Sequence, residues 1–395
     1  MKKTFQFRIY PNKKQEAKLN RTLSTCRHLY NDSLAERKRQ SELNRLRQRF
    51  DVFPWGYSEW ISKYDQMLDL TATKTEYQQE VFSQVLQDVI KRVDKSMANF
   101  FKGSGYPRFQ GRNRYNSFTY PQMGFSIKDG KLNLSKIGNI EIVLHRPIDG
   151  KIKTCTIKKD IDQWYVSFSV EIDLPTIPVE IKTKTGIDVG LKSLITMSNG
   201  CQIEPPEFLR VSEKKLTREQ KRLSRKKLRS KNRNNQRIIV AKVHRTIRNQ
   251  RKDFAHKTSR QLVNEYDHIV FEDLQVQNMV QNHHLAKSIS DAGWSQLINF
   301  TKTKAEYAGK IVELVNPRNT SQNCSGCGNS VKKDLSVRIH SCPFCGLELD
   351  RDHNAAINIL KRSNSTVGTM GFQACLSNLS REAMKQEAPS PFRGE

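Results

Sequence analysis

The sequence contains no run of eighteen apolar residues, so no segment of it reads as a membrane-spanning helix. Its opening residues do not read as a secretory signal, which disfavours an oxidising compartment. It is also poor in acid. Only 40 Asp and Glu stand against 68 Lys and Arg, a formal net charge of +28. That surplus is too large for an incidental solvated surface and points to an anionic polymer. A membrane surface is the competing partner. The basic residues, however, lie beside aromatics and Gly turns and not along one amphipathic helix, which disfavours it. Nucleic acid is the implied partner. With 395 residues the chain has room for two or three domains and a substantial core.

One stretch organises the rest. Cys324-x-x-Cys327 is followed by fourteen residues and then by Cys342-x-x-Cys345. Four thiolates paired in this way fit a tetrahedral zinc ion. Gly326, Gly328, Pro343 and Gly346 supply tight turns at each pair. The spacing matches a zinc ribbon, a hairpin too small to hold a core without metal. Disulfides are the alternative, disfavoured without a secretory signal. Cys26, Cys155, Cys201 and Cys375 have no partner spacing and read as free thiols.

Along the chain, residues Thr4 to Tyr10 alternate as a strand does, and Pro11-Asn12 breaks it to open a helix from Lys13 to about Arg49. Pro54-Trp55-Gly56 interrupts, and a second helical region runs from about Ser58 to Phe101. Gly103 to Gln122 interleaves aromatics with basic residues. Tyr106 and Tyr120 could stack on bases while Arg108, Arg112 and Arg114 neutralise phosphates. A buried aromatic cluster under a basic loop is the alternative, since Phe118 and Tyr120 could be core. Lys131 to Ile172 reads as short antiparallel strands, which the first strand would complete as a β-barrel. Leu174 to Val179, with two prolines, reads as a linker. Arg210 to Arg260 holds twenty Lys and Arg against three acids. A pair of long helices with a break near Lys231 to Asn235 is expected there, lining a nucleic-acid channel through Arg222, Arg225, Lys226 and Arg229. Gln275 to His284 reads as a polar loop. Asp291 or Ser295 could then cap a helix running to Gly309.

Three acids stand on separate elements. Asp188 lies in the short apolar strand Gly186–Gly190, Glu272 ends the apolar strand from His268, and Asp352 stands at the start of a short helix. With the ribbon set aside, the order strand, hairpin, third strand, long helix, strand, helix, strand, helix is that of an RNase H-like fold. Three carboxylates could then meet at one end of a mixed sheet and bind hard divalent ions. Such ions can drive phosphodiester hydrolysis. Asp350, two residues away, competes with Asp352, and Asp352 could instead be a helix cap.

These motifs together resemble the TnpB family, insertion-sequence proteins related to type V CRISPR effectors. The resemblance rests on Gly186-Ile187-Asp188-Val189-Gly190, Phe271-Glu272-Asp273-Leu274, Thr320-Ser321-Gln322-x-Cys324, the two Cys-x-x-Cys-Gly pairs and Asp350-Arg351-Asp352-x-Asn354-Ala355-Ala356-x-Asn358. Phe7–Asn12, the Gly105–Phe109 stretch and the Tyr115–Tyr120 stretch also fit. The resemblance implies an α+β multidomain protein. A wedge β-barrel would occupy 1–10 and 103–180, with a helical recognition domain at 11–102. A RuvC domain would occupy 181–318 and 351–362, with a zinc ribbon at 319–350 and a loosely held tail at 363–395. It implies an RNA-guided DNA endonuclease with Asp188, Glu272 and Asp352 as catalytic residues holding Mg²⁺ or Mn²⁺, and structural Zn²⁺ on Cys324, Cys327, Cys342 and Cys345. The partners would be a guide RNA from the transposon end, with one protein per RNA, and target double-stranded DNA beside a short motif. The setting would be cytoplasmic, on nucleoid DNA. A guided repressor without cleavage and a DNA-joining transposase are the alternatives.

Overall fold

Alternating apolar and polar residues make β1 (Lys2–Tyr10), which buries Phe5, Phe7 and Ile9 and turns the residues between them outward. The computed structural model describes residues 2–50, 60–172, 180–205, 207–275, 279, 281, 292–334 and 337–363. The expected linker at Leu174–Val179, the Pro54–Gly56 interruption, Asp291, Cys375, most of the Gln275–His284 loop and the tail beyond Ser363 lie outside them. The chain divides into two compact units, 1–174 and 175–395.

In the first unit Asn12 caps α1 (Lys13–Arg49). Its side chain accepts from the Gln15 amide, and the Gln15 side chain accepts from the Asn12 amide, both at 2.9 Å. The second helical region is three helices and not one: α2 (Lys63–Ala72), α3 (Glu76–Gln79) and α4 (Ser83–Phe101). Ser62 and Thr75 start new helices because Asp65 and Gln78 accept from their amides at 2.8 and 3.1 Å, which a continuous helix would not allow. Six further strands follow: β2 (Ser117–Tyr120), β3 (Phe125–Lys128), β4 (Lys131–Leu134), β5 (Gly138–Val143), β6 (Lys151–Asp160) and β7 (Gln163–Glu171). With β1 they form a seven-stranded antiparallel sheet in the order β2-β6-β7-β1-β5-β4-β3. The order is that of a half-barrel, completed by the first strand as the sequence suggested. Helices α1 and α4 pack into the same core as the sheet. Leu19, Leu23 and Cys26 of α1 and Val85, Leu86 and Val89 of α4 join Phe7, Phe118, Val166 and Phe168.

Tyr120 corrects the sequence reading. It is fully buried on β2, opposite Cys155, stacked on Phe82 at 5.8 Å, and its hydroxyl donates to the Ser135 carbonyl at 3.1 Å. A ring held on all sides has no face to offer a base. The free-thiol expectation holds at Cys26 and Cys155, both buried, and fails at Cys201, which is disulfide-bonded.

The second unit is built on a five-stranded sheet, β10-β9-β8-β11-β12. Its members are β8 (Lys184–Asp188), β9 (Ile195–Met197), β10 (Gln202–Ile203), β11 (His268–Glu272) and β12 (Ile311–Val315). β11 runs parallel to both β8 and β12, and β9 and β10 are antiparallel, the arrangement of an RNase H-like sheet. Between β10 and β11 lie α5 (Glu207–Ser224) and α6 (Lys231–Glu265). The break falls at 225–230, earlier than expected, because the Ser230 hydroxyl caps α6 by accepting from the Arg233 amide at 3.1 Å. Helix α7 (Trp294–Tyr307) starts after Gly293, which is left-handed at φ 65° and makes no side-chain cap bond. Helices α6 and α7 cover one face through Leu262, Val263, Leu297 and Ile298. The other face packs Val270 and Val315 against Ile359 of α8 (Arg351–Lys361). Between β12 and α8 stands the hairpin of β13 (Ile339–Ser341) and β14 (Glu348–Asp350).

Tyr120→Ala is expected to destabilise the first unit by about 3–5 kcal/mol, as deleting a buried aromatic does. Tyr106→Ala, at an exposed ring, should stay within about 0.5 kcal/mol of the parent. Chemical denaturation followed by circular dichroism checks both.

Candidate metal centres

The parallel pairing of β8 with β11 sets Phe271 opposite Ile187, so Glu272 and Asp188 end neighbouring strands at the same edge. Asp352 reaches that edge from the first turn of α8. Two features of the sequence hold α8 there. Gly186 has no side chain because α8 lies against it: a Cβ there would stand 2.2 Å from the Ala356 carbonyl oxygen and 2.6 Å from the Leu360 nitrogen. Asp350 is the helix cap, accepting from the Asp352 and His353 amides at 2.9 and 3.2 Å. The competition between the two aspartates thus resolves into different positions. Asp350 is spent on the backbone, and Asp352, two residues on, carries among the described residues a 3.4 Å contact from Arg351.

The three carboxylates interact. The Asp188 carboxyl is held well above the ordinary aspartate range, first by burial and then by the charges of Glu272 and Asp352, with Arg351 opposing them. Glu272, almost wholly buried, is raised by burial, against the pull of the Thr320 hydroxyl and Arg362. Among the described residues, the cluster whose ligand atoms all lie within 4.8 Å of one another is the cysteine set. A set of hard oxygen donors, Glu272 buried and Asp188 and Asp352 half-buried, whose charges oppose one another fits Mg²⁺ or Mn²⁺.

The ribbon offers soft donors. Cys324 and Cys345 sulfurs are 3.6 Å apart, as are those of Cys327 and Cys342. A tetrahedral zinc ion with bonds of about 2.3 Å spaces its sulfurs by about 3.8 Å. The two knuckles repeat one backbone pattern. The Gly328 amide donates to the Cys324 carbonyl and the Gly346 amide to the Cys342 carbonyl, both at 2.9 Å, with both glycines left-handed. Burial raises the thiols of Cys324 and Cys342, but hydrogen-bond donors, led by knuckle amides, outweigh it and bring them to about 7 and about 6. Cys345 is drawn down by the Leu347 amide, yet burial and its sulfur neighbours push it up to about 12. With four sulfurs closing the tetrahedron, the site fits structural zinc and leaves no position open for water.

The polar residues of α8 join the two centres. Asn354 accepts from the Ser325 amide and donates to the Asn323 carbonyl, both at 2.8 Å. Asn358 donates to the carbonyls of Thr320 and Asn323 at 2.9 and 2.7 Å. Thr320 donates to Glu272 Oε1 at 2.5 Å, and His353 Nε2 lies 3.2 Å from the Ser198 carbonyl oxygen. Sequence reasoning quoted Thr320, Asn354 and Asn358 as motif letters and gave them no role. Their signal was an amide side chain at i and i+4 on an otherwise apolar helix face, which must find partners once buried.

The residues expected to meet nucleic acid divide differently. Tyr106 is exposed, edge-on to Phe100 at 5.1 Å, and Arg108, Arg112 and Arg114 are also exposed. Arg222 is exposed but paired with Glu219 at 3.0 Å. Arg225 and Arg229 are exposed in the α5–α6 turn, and half-buried Lys226 reaches the Asn232 carbonyl at 3.5 Å. Tyr120 is core, as described above.

Fold and site define a class: an RNase H-like chain with an edge of three acids and an inserted four-thiolate ribbon. The family described as "Probable transposase" matches residues 167–283, and "Cas12f1-like, TNB domain" matches 294–359. "Helix-turn-helix domain" matches 1–45, which fold here as one strand and one long helix. A Streptomyces pristinaespiralis protein named "Putative RNA-guided DNA endonuclease" is 34% identical over 370 residues, covering 91% of this chain and 89% of that one. An Escherichia coli K12 protein named "Putative RNA-guided DNA endonuclease InsQ" is 30% identical over 382 residues, covering 92% of each. A solved Cas12f1–sgRNA–target DNA complex matches 92% of this chain and 99% of its own at 18% identity, with a TM-score of 0.36, too remote to weigh. The chain belongs to the TnpB family.

Raised carboxyls mean that the folded state binds more protons than the unfolded chain between the ordinary and the raised pKa. Stability of the magnesium-free protein therefore falls as pH rises through that window. Asp188→Asn is expected to melt above the parent at pH 8 in magnesium-free buffer, with the gap closing toward pH 4; thermal scans across pH check it. Gly186→Ala should lift α8 off the sheet, read as faster hydrogen exchange over 351–361 with zinc content unchanged.

Proposed function

We propose that this chain is an RNA-guided DNA endonuclease whose single RuvC site cuts both strands of a matched duplex in turn. The observation that carries the reading is the meeting of Asp188, Glu272 and Asp352 at one edge of an RNase H-like sheet. It is supported by likeness over nine-tenths of the chain to proteins named for that activity. Asp188, Glu272 and Asp352 would hold the divalent ions, Mg²⁺ or Mn²⁺. When bound, two such ions supply Lewis acidity at the scissile phosphodiester and activate water for its hydrolysis. The chain's own part is to fix the carboxylates before the ions arrive, through the docking of α8 and the hydroxyl on Glu272. The ribbon's zinc is structural and holds the segment that docks on α8.

Sequence would be read by pairing between target strand and a guide RNA from the transposon end, with one protein per RNA. The protein reads backbone shape and a short adjacent motif. Exposed Arg108, Arg112, Arg114, Arg225 and Arg229 suit phosphates, and Tyr106 has a ring face for stacking. No helix among the described residues is long and apolar enough to cross a membrane.

The test is to purify the protein with RNA transcribed from its gene's 3′ flank and add a matched plasmid library. Double-strand cuts that need guide and Mg²⁺, and fall at least 10³-fold in Asp188→Ala (roughly 4 kcal/mol of barrier), are the expected result. Guide-dependent binding without cutting would make it a repressor. RNA-independent strand transfer on element ends would make it a transposase.

A further inference from the structure

A threonine hydroxyl has one hydrogen to give. That of Thr320 lies between two acceptors, Glu272 Oε1 at 2.5 Å and the Pro317 carbonyl oxygen at 3.0 Å. A carboxylate outcompetes a neutral carbonyl for it. Both residues are nearly closed to solvent, Thr320 at 4% and Glu272 at 7% exposure, so water does not compete strongly for either. The hydroxyl therefore fixes Oε1. Among the described residues no protein donor takes Oε2, the other oxygen of the carboxylate that ends β11 beside Asp188.

The backbone of Thr320 is held as firmly as its side chain. It follows Asn319, whose φ of 63° is left-handed and whose carbonyl accepts from the Asn323 amide at 3.0 Å. Its own carbonyl accepts from Asn358 Nδ2 at 2.9 Å. Asn358 is on α8, the helix that also carries Asp352. One residue is thus bonded through its side chain to one acid and through its main chain to the helix of another.

We propose that Thr320 is a positioning residue for the metal centre. Its hydroxyl holds Glu272 Oε1 so that Oε2 alone is presented to a divalent ion, and its carbonyl, through Asn358, keeps Glu272 in register with Asp352. This rests on the reading of the three acids as a divalent-ion nuclease site. A hydroxyl that merely filled space would be replaceable by an isosteric methyl without effect on metal binding. A hydroxyl that aims a ligand would not, and loss of such a contact typically weakens metal affinity or activity about 10–100-fold.

The test compares Thr320→Val, which keeps the shape and loses the hydroxyl, with Thr320→Ser, which keeps the hydroxyl. Each protein–guide RNA complex is titrated with Mn²⁺, and free Mn²⁺ is read by electron paramagnetic resonance. The Asp188→Ala complex supplies the background from sites on the RNA. Cleavage is measured beside it as a function of Mg²⁺ concentration. Thr320→Val is expected to weaken the Asp188-dependent Mn²⁺ site and to raise the half-saturating Mg²⁺ concentration, each about 10-fold or more. Zinc content and guide-dependent DNA binding should not change. Thr320→Ser should return both metal readouts to within about 3-fold of the parent. A valine variant with parental Mn²⁺ binding and Mg²⁺ dependence overturns the proposal and leaves the nuclease intact. So does a serine variant as weak as the valine one, since the hydroxyl is then present and idle. A parent complex that neither cleaves nor binds Mn²⁺ above the Asp188→Ala background overturns the nuclease reading and this proposal together.

Discussion

Three carboxylates at one edge of a sheet repel one another, and the second unit is arranged so that they stay there. Asp188 shows the strain most plainly: burial and two neighbouring acids all act against its charged form. Such a set cannot hold itself together. Asp188 and Glu272 are fixed by strand pairing, which no side-chain repulsion of this size undoes. Asp352 is the movable member, because it arrives on a helix from a distant part of the chain. The backbone of α8 against Gly186, His353 on the hairpin at Ser198 and the two asparagines facing the ribbon are the contacts that oppose its departure.

The ribbon is subject to a second charge problem with a different answer. Its thiolates are close enough that one of them, Cys345, resists ionisation. A cation held by the four sulfurs would resolve this, and its binding energy would become folding energy for so small a hairpin. Because Asn354 grips the amide of Ser325, inside the first knuckle, order in the ribbon is passed to the helix that bears Asp352. Zinc held by the four sulfurs would thereby steady the placement of Asp352. The two share no ligand, only two asparagines and a threonine.

Much of this was legible in the sequence because the signals were local. Lys13–Arg49 is framed by Asn12 and a continuous apolar stripe, and strands β11 and β12 are short apolar runs between breakers. Cysteine spacing gave the ribbon, and three acids on separate elements gave the edge. What failed was set by packing across distance. Tyr120 reads equally as a stacking ring or a core ring until Phe82 and Ser135 are known to surround it. Gly186 illustrates the middle case. A glycine in a strand signals some close approach, but only the fold tells that the approaching backbone is residues 356–360.

The pair Asp350 and Asp352 carries the argument one step further. A helix start needs an acceptor for its free amides, and an aspartate is among the best. Had the chain a single aspartate here, that carboxylate would be drawn back to its own backbone and away from the sheet edge. With Asp350 accepting from both the Asp352 and His353 amides, the demand is met one residue before the helix begins. Asp350 also closes β14, where it pairs with Ile339, so the cap is anchored in the ribbon and not in a mobile loop. The last strand of the thiolate hairpin therefore ends in the residue that frees Asp352. The close succession of ribbon, cap and acid follows from that requirement: a longer connection would leave the cap to wander and Asp352 to take its place.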